Sequence, residues 1–207
     1  MKKIYSLLAF SLVSVCSAGQ NSATPKDTVF YKDLIRTELL WEEFDDDSRR
    51  WIGVPGQTNV AIKEGIFHLY PTDTMSWGID IDIDYSRNFE IDISAKKDSK
   101  KFSSRGIFRW ADECGISSAS IEFTASSMHM QICKFQDCGK YKIRRKSGHQ
   151  DSFNRYVVRK VADSYYIFKN DEYLFAYPAE KLYGKRIEFA QKKSHILIDY
   201  IRISYLD

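Results

Sequence analysis

Glu90 and Asp92 are the residues whose type and spacing come nearest to catalytic chemistry in this chain. In Phe89-Glu90-Ile91-Asp92-Ile93-Ser94-Ala95, apolar and polar residues alternate, so an extended strand sets both carboxylates on one face. Two carboxylates that flank a glycosidic bond about 5 Å apart can divide the roles of nucleophile and general acid. Ser94 and Ala95, the next residues along the strand after Ile93, cannot donate a proton as a general acid. Glu122, on a separate apolar run, is the other carboxylate such an enzyme would draw on. Without a general acid the leaving group goes unprotonated, and two solvated carboxylates on an ordinary strand are the plainer expectation.

Other chemical groups are weaker. Asp80, Asp82 and Asp84 share one face of Trp77–Tyr85, but successive same-face positions lie about 6.6 Å apart, too far for three carboxylates to share one ion. Pairing with Lys or Arg on neighbouring strands is expected instead. Asp45 and Asp47 sit in a loop and are the better calcium candidates, since calcium takes six to eight oxygens from segments that wrap around it. A solvated loop remains the favoured reading there, and no metal site is assigned. His68, His129, His149 and His195 are scattered without a triad signature, and neither a glycine-rich phosphate loop nor a G-x-S-x-G elbow is present.

Cys114, Cys133 and Cys138 follow a fourth cysteine, Cys16, in the leader. Cys114 precedes the run Ala119–Thr124 and Cys138 follows Met128–Phe135, so antiparallel pairing of those runs puts both at one end of a sheet. The expected disulfide is Cys114–Cys138 with Cys133 buried, and Cys114–Cys133 is the alternative. A zinc site would need His129 or His149 as a fourth ligand at a spacing that fits no motif. Exposed flat rings stack on the apolar face of a sugar, and Trp51, Trp77 and Trp110 with Tyr70 and Tyr85 are the candidates for such a platform. Large aromatics are also the usual filling of a core.

The elements that would position these residues are strands. Residues 1–19 read as a signal peptide: Lys2 and Lys3, the apolar run Ile4–Val15, then Ala18 at −1 with Cys16 at −3. A bacterial lipid anchor at Cys16 is the alternative, although Val15 stands where a small residue is usual. The run is shorter than the roughly 20 residues that span a bilayer, so no transmembrane segment is expected, and the mature protein is expected outside the cytoplasm, secreted, periplasmic or at the cell surface. Residues 20–38 read as a flexible lead-in, and 39–207 as one domain. The formal charge of +3 falls to +1 once the leader's two lysines are set aside, which argues against nucleic acid as a partner.

From Val60 onward, β-branched and aromatic runs are punctuated by turn residues such as Lys63-Glu64-Gly65 and Lys169-Asn170-Asp171-Glu172. About eleven or twelve strands are expected, with no helix beyond a turn or two, arranged as an all-β, two-sheet antiparallel β-sandwich.

Phe44-Asp45-Asp46-Asp47 with Trp51 resembles the opening of secreted bacterial concanavalin A-like and laminin G-like jelly-roll domains. Asn88–Ile93, Gly106–Trp110, Asn154–Phe168 with Asn170-Asp171, and Ile198–Ile203 are similar to their later strands, in order, from about Leu40 to Asp207. The resemblance implies a jelly roll, and a group that includes carbohydrate-binding modules and glycosidase-like domains. Glucanases of this fold carry E-I-D-x-x-E or E-I-D-I-E, of which Glu90 and Asp92 match the first two carboxylates. A non-catalytic module that binds glycans or a cell-envelope protein is the leading expectation. A divergent glycoside hydrolase or lyase, and an assembly protein that offers its edge strands, are the alternatives.

Overall fold

The computed structural model describes residues 34–53, 56–71, 76–98, 105–113, 117–123, 127–134, 137–144 and 152–207. Among them the chain forms fourteen strands and no α-helix. They are β1 (Arg36–Glu42), β2 (Val60–Lys63), β3 (Ile66–Leu69), β4 (Ser76–Asp80), β5 (Phe89–Asp98), β6 (Arg105–Glu113) and β7 (Ser117–Phe123). β8 (Ser127–Lys134), β9 (Asp137–Arg144), β10 (Asn154–Val161), β11 (Ser164–Lys169), β12 (Glu172–Pro178), β13 (Arg186–Lys192) and β14 (His195–Leu206) follow. The expected signal peptide, residues 1–19, lies outside the described residues.

All ladders are antiparallel and build two sheets. The larger runs β12-β11-β10-β5-β14-β3-β2, with β1 pairing the C-terminal half of β14, and the smaller runs β4-β13-β6-β7-β8-β9. This is the two-sheet antiparallel sandwich expected from the strand pattern, in the jelly-roll form that the resemblance implies. Period-two alternation fills the space between the sheets: Phe89, Ile91, Ile93 and Ala95 of β5 meet Phe108 and Trp110 of β6 and Phe189 of β13 in one core. In β14 the inward set is Ile196 and Ile198, then Ile201 and Ile203. That change of parity comes from a bulge between Ile198 and Tyr200, and without it the second pair of isoleucines would face outward.

Two boundaries differ from expectation. The strand expected over Trp77–Tyr85 stops at Asp80, after which Ile81 and Ile83 pack on the core from an irregular segment. The domain also starts before residue 39: Arg36, Thr37 and Glu38 pair with Leu206, Tyr205 and Ser204, so the end of the expected lead-in is sheet. The β1 sequence alternates Leu40 and Glu42 inward with Trp41 outward. Glu42 is the unexpected member of the core. Its carboxylate accepts hydrogen bonds from Trp51 Nε1 at 3.0 Å and from Phe44 N at 2.9 Å. These bonds hold Phe44 at φ +57°, a left-handed conformation in which a bulky side chain is strained, and seat Phe44 and Trp51 against Phe67.

At Gly78 the edge strand β4 lies so close to β13 that an added Cβ would sit 1.9 Å from the Ile187 carbonyl oxygen and 2.6 Å from Glu188 Cα. Both neighbours are backbone and cannot rotate away. Gly78→Ala is expected to lower unfolding stability by about 2 kcal/mol or more in urea titration, as overpacking does, whereas alanine at Gly53, strained by its φ of +74° but with nothing within 4 Å, should cost about 1 kcal/mol.

Candidate functional site

The outward face of the larger sheet carries the polar residues of β5 and the strands beside it. Glu90 and Asp92 point away from the core, as their alternation requires, yet they are only 4% and 8% exposed. Long side chains from three strands cover them. Arg36 of β1 donates from Nε to Glu90 Oε1 at 2.9 Å, and Arg159 of β10 donates from Nε to Oε2 at 2.6 Å. Arg155 of β10 donates from Nε to both Asp92 oxygens at 3.0 Å and from Nη2 to Oδ2 at 2.6 Å, while Tyr200 OH reaches Oδ1 at 3.3 Å. Arg155 also reaches Asp171 through Nη1 at 2.6 Å.

Burial alone would raise the Glu90 carboxyl, but hydrogen bonds and charge from Arg36 and Arg159 outweigh it and hold Glu90 below its ordinary value. Burial, and then the Asp92 charge, push the Tyr200 hydroxyl up to about 12. Glu90 is thus a fixed anion at neutral pH, with both oxygens occupied by guanidinium groups. Such a group does not donate a proton at neutral pH. Beside the network lies a small second apolar cluster, Val157, Tyr166 and Phe168, against which the Arg159 guanidinium packs 5.1 Å from the Phe168 ring centroid.

Glu122 does not join these carboxylates. It belongs to β7 in the other sheet, where it takes an ion pair from Arg105 at 2.8 Å and faces His129 Nδ1 at 3.7 Å. The tryptophan platform is corrected as well. Trp51, Trp77 and Trp110 are 1%, 4% and 0% exposed, because each stands at an inward position and fills the sandwich core. Tyr85 packs edge-on against Phe89 with its hydroxyl buried. Tyr70 is partly exposed and stacks on His195 rather than joining a row of rings. Asp47 Oδ1 accepts from Ile52 N at 3.1 Å and so shapes its own loop. Among the described residues no three His, Cys, Asp or Glu side chains converge as a metal cluster. Asp80 of β4 pairs with Arg186 of β13 as expected, whereas Asp82, beyond the end of the strand, pairs with Lys185, and Asp84 Oδ1 accepts from Ser86 N at 2.9 Å. Cys114 lies outside the described residues, and the register sets Cys133 and Cys138 opposite one another in β8 and β9.

The exposed tryptophan is one the residue-type reading passed over. Trp41 is 37% exposed, stacks on Tyr200 at 5.4 Å with 28° between the ring planes, and lies 5.5 Å from the Arg202 guanidinium. Its signal in the sequence was its place between two inward residues, Leu40 and Glu42. An indole, a phenol and a guanidinium thus lie together on the outward face, with the Asp92–Arg155–Asp171 chain reached through Tyr200.

The class of protein this defines is an all-β, two-sheet jelly-roll sandwich. Solved structures with this architecture include the carbohydrate-binding module CBM66 from Bacillus subtilis, with TM-score 0.54 at 6% identity over 67% of this chain and 86% of that one. A prokaryotic β-1,3-1,4-glucanase (lichenase) derived from a mouse hindgut metagenome superposes with TM-score 0.60 at 12% identity, over 80% of this chain and 97% of that one. The laminarinase catalytic domain of Thermotoga maritima does so with TM-score 0.60 at 11% identity, over 83% and 98%. No protein-family model and no curated relative matches the sequence. Among the described residues no helix is long and apolar enough to cross a membrane.

Removal of Arg159 leaves a buried carboxylate short of a partner. Arg159→Ala is expected to destabilise the fold by about 3 kcal/mol at pH 7 by chemical denaturation, since breaking a buried ion pair commonly costs 3–5 kcal/mol. Because the folded-state value of Glu90 is depressed, this stabilisation is complete above the unfolded-state value and is lost as pH falls through the folded-state one. The gap between wild type and variant should therefore narrow on acidification. A gap that widened in acid would show that the pair does not operate in this way.

Proposed function

We propose that the chain is an exported, non-catalytic glycan-binding sandwich whose binding surface is the outward face of the larger sheet, around Trp41, Tyr200, Arg202 and Arg155. The observation that carries this reading is that the two candidate catalytic carboxylates are both engaged by arginines, while an indole beside them is open to solvent. A half-exposed ring offers the flat apolar surface that a sugar's C–H face requires, and the charged groups around it can bond hydroxyls. The shared architecture with a carbohydrate-binding module and with glucanases supports a glycan-related role. The leader of residues 1–19 is the support for export, which would put the domain where extracellular or envelope glycans are met.

A glycan array and affinity gels on the mature domain, run beside a reducing-sugar release assay, test this directly. Retention by at least one polysaccharide is expected for wild type, weakened by about tenfold or more in Trp41→Ala, the effect of losing a central aromatic contact, and unchanged in Glu122→Gln. Reducing-sugar release that Glu90→Gln abolishes would instead establish a hydrolase.

A further inference from the structure

At the far end of β14 from Trp41, the same outward face carries a second group of side chains that the glycan reading does not use. The register sets His195 opposite Asp98 on one side, and opposite the end of the β3 strand that carries His68 on the other. Trp41 pairs with Arg202 and His195 lies seven residues earlier, about 20 Å along the strand. His68 and His195 turn a ring nitrogen toward each other: Nδ1 of His68 and Nε2 of His195 are 3.2 Å apart. The remaining nitrogen of His195, Nδ1, faces Asp98 Oδ2 at 3.5 Å. Tyr70 covers the His195 ring at 4.7 Å with 17° between planes, and its hydroxyl takes Lys63 Nζ at 3.2 Å.

We propose that His68 Nδ1 and His195 Nε2 form a two-histidine site for a borderline transition-metal ion of the zinc class, with water filling the remaining positions. Zinc binds imidazole nitrogen at 2.0–2.1 Å, so two such ligands on a tetrahedral ion stand about 3.3 Å apart, and the two nitrogens already have that separation. Asp98 occupies the place of the carboxylate that ordinarily receives the second N–H of a metal-bound histidine, fixing the tautomer and leaving Nε2 with its lone pair toward the ion. Both rings are held rather than swinging freely: His68, His195 and Tyr70 pack on one another pairwise, with ring centroids 5.3 Å apart for the two histidines, 4.7 Å for Tyr70 and His195, and 5.8 Å for Tyr70 and His68. With the His195 Nε2 lone pair facing it, a neutral His68 holds its proton on Nδ1 in the metal-free chain, and on binding the ion His68 shifts that proton to its own Nε2, so both imidazoles stay neutral. The charges around the site are mixed. Lys63 opposes a cation, as does Lys96 on the same face opposite Leu197, while Asp98 and the nearby Glu64 favour one. Two protein ligands without a third make this a reversible site on the sheet surface rather than a structural zinc that the fold requires.

Titration of the tag-free chain with ZnCl2 in a calorimeter, with NiCl2 as a second probe, decides the matter. One saturable site is expected, accompanied by a rise in melting temperature at excess zinc because only the folded chain brings the two rings together. His68→Gln and His195→Gln should each weaken binding by about tenfold or more, and Asp98→Asn by about tenfold, the size of a lost carboxylate behind a metal-bound histidine. His129→Gln should leave it unchanged. Circular dichroism and melting of the metal-free variants separate loss of the site from loss of the fold, since all these side chains face outward. The absence of saturable binding, or binding that survives both His68→Gln and His195→Gln, would overturn the proposal. So would binding that is lost only in His129→Gln.

Discussion

Buried charge on β5 is the constraint around which the larger sheet is arranged. A strand that fills the core with Phe89, Ile91, Ile93 and Ala95 must present Glu90 and Asp92 on its other face. There, neighbouring side chains leave both carboxylates almost no contact with water. An unpaired carboxylate in such a place would cost several kcal/mol, so partners are obligatory. Arg36, Arg155 and Arg159 supply them from the strands on either side of the β5–β14 pair. The same ion pairs tie β1 and β10 to the centre of the sheet, and thereby help to fix the register of the chain's N-terminal strand.

That arrangement also sets what the face can do. A carboxylate held by two guanidinium groups is a poor general acid, and a guanidinium committed to a carboxylate is a rigid surface feature. On the function proposed above, the face is pre-organised for contact: its rings and charged groups are held in place, and little side-chain entropy remains to be lost on binding. Trp41, steadied by Tyr200 and Arg202, shows the same economy. A sandwich shared with both binding modules and glucanases leaves activity to be argued from such details rather than from architecture.

The fold was legible from alternation and turn chemistry. The Phe89–Ala95 pattern, the turns at Gly65 and Asn170-Asp171, and the strands β10 to β12 all appear where their residue types place them, but β13 crosses to the smaller sheet and β14 returns between β5 and β3, an order that no local pattern reveals. What escaped the sequence had physical causes. β1 was too short and mixed to separate from a helical turn, so Trp41 was never set on a face, and the one solvent-facing indole among the described tryptophans went unseen. Trp51, Trp77 and Trp110 were read by type, and type does not report burial. In β14 the bulge at Asp199 changes which side of the sheet each later residue faces, so Tyr200 and Arg202 could be placed only once the register was known. Glu42 stands in the acidic run Glu42-Glu43-Phe44-Asp45-Asp46-Asp47, where nothing in residue type marks it as the buried anchor of Trp51 and the Phe44 turn. Arginine locking of Glu90 and Asp92 depends on cross-strand partners more than sixty residues away on β10, which no local pattern reveals.

Carbon-detected NMR titration of the Glu90 carboxyl, assigned by comparison with Glu90→Gln, tests the central claim most directly. A carboxylate held by Arg36 and Arg159 should titrate below the ordinary glutamate value and show no protonated form at pH 6. A Glu90 carboxyl that titrates at pH 6 or above would be one the two guanidinium groups do not hold, and would contradict the account of this face as arranged around buried, paired charge.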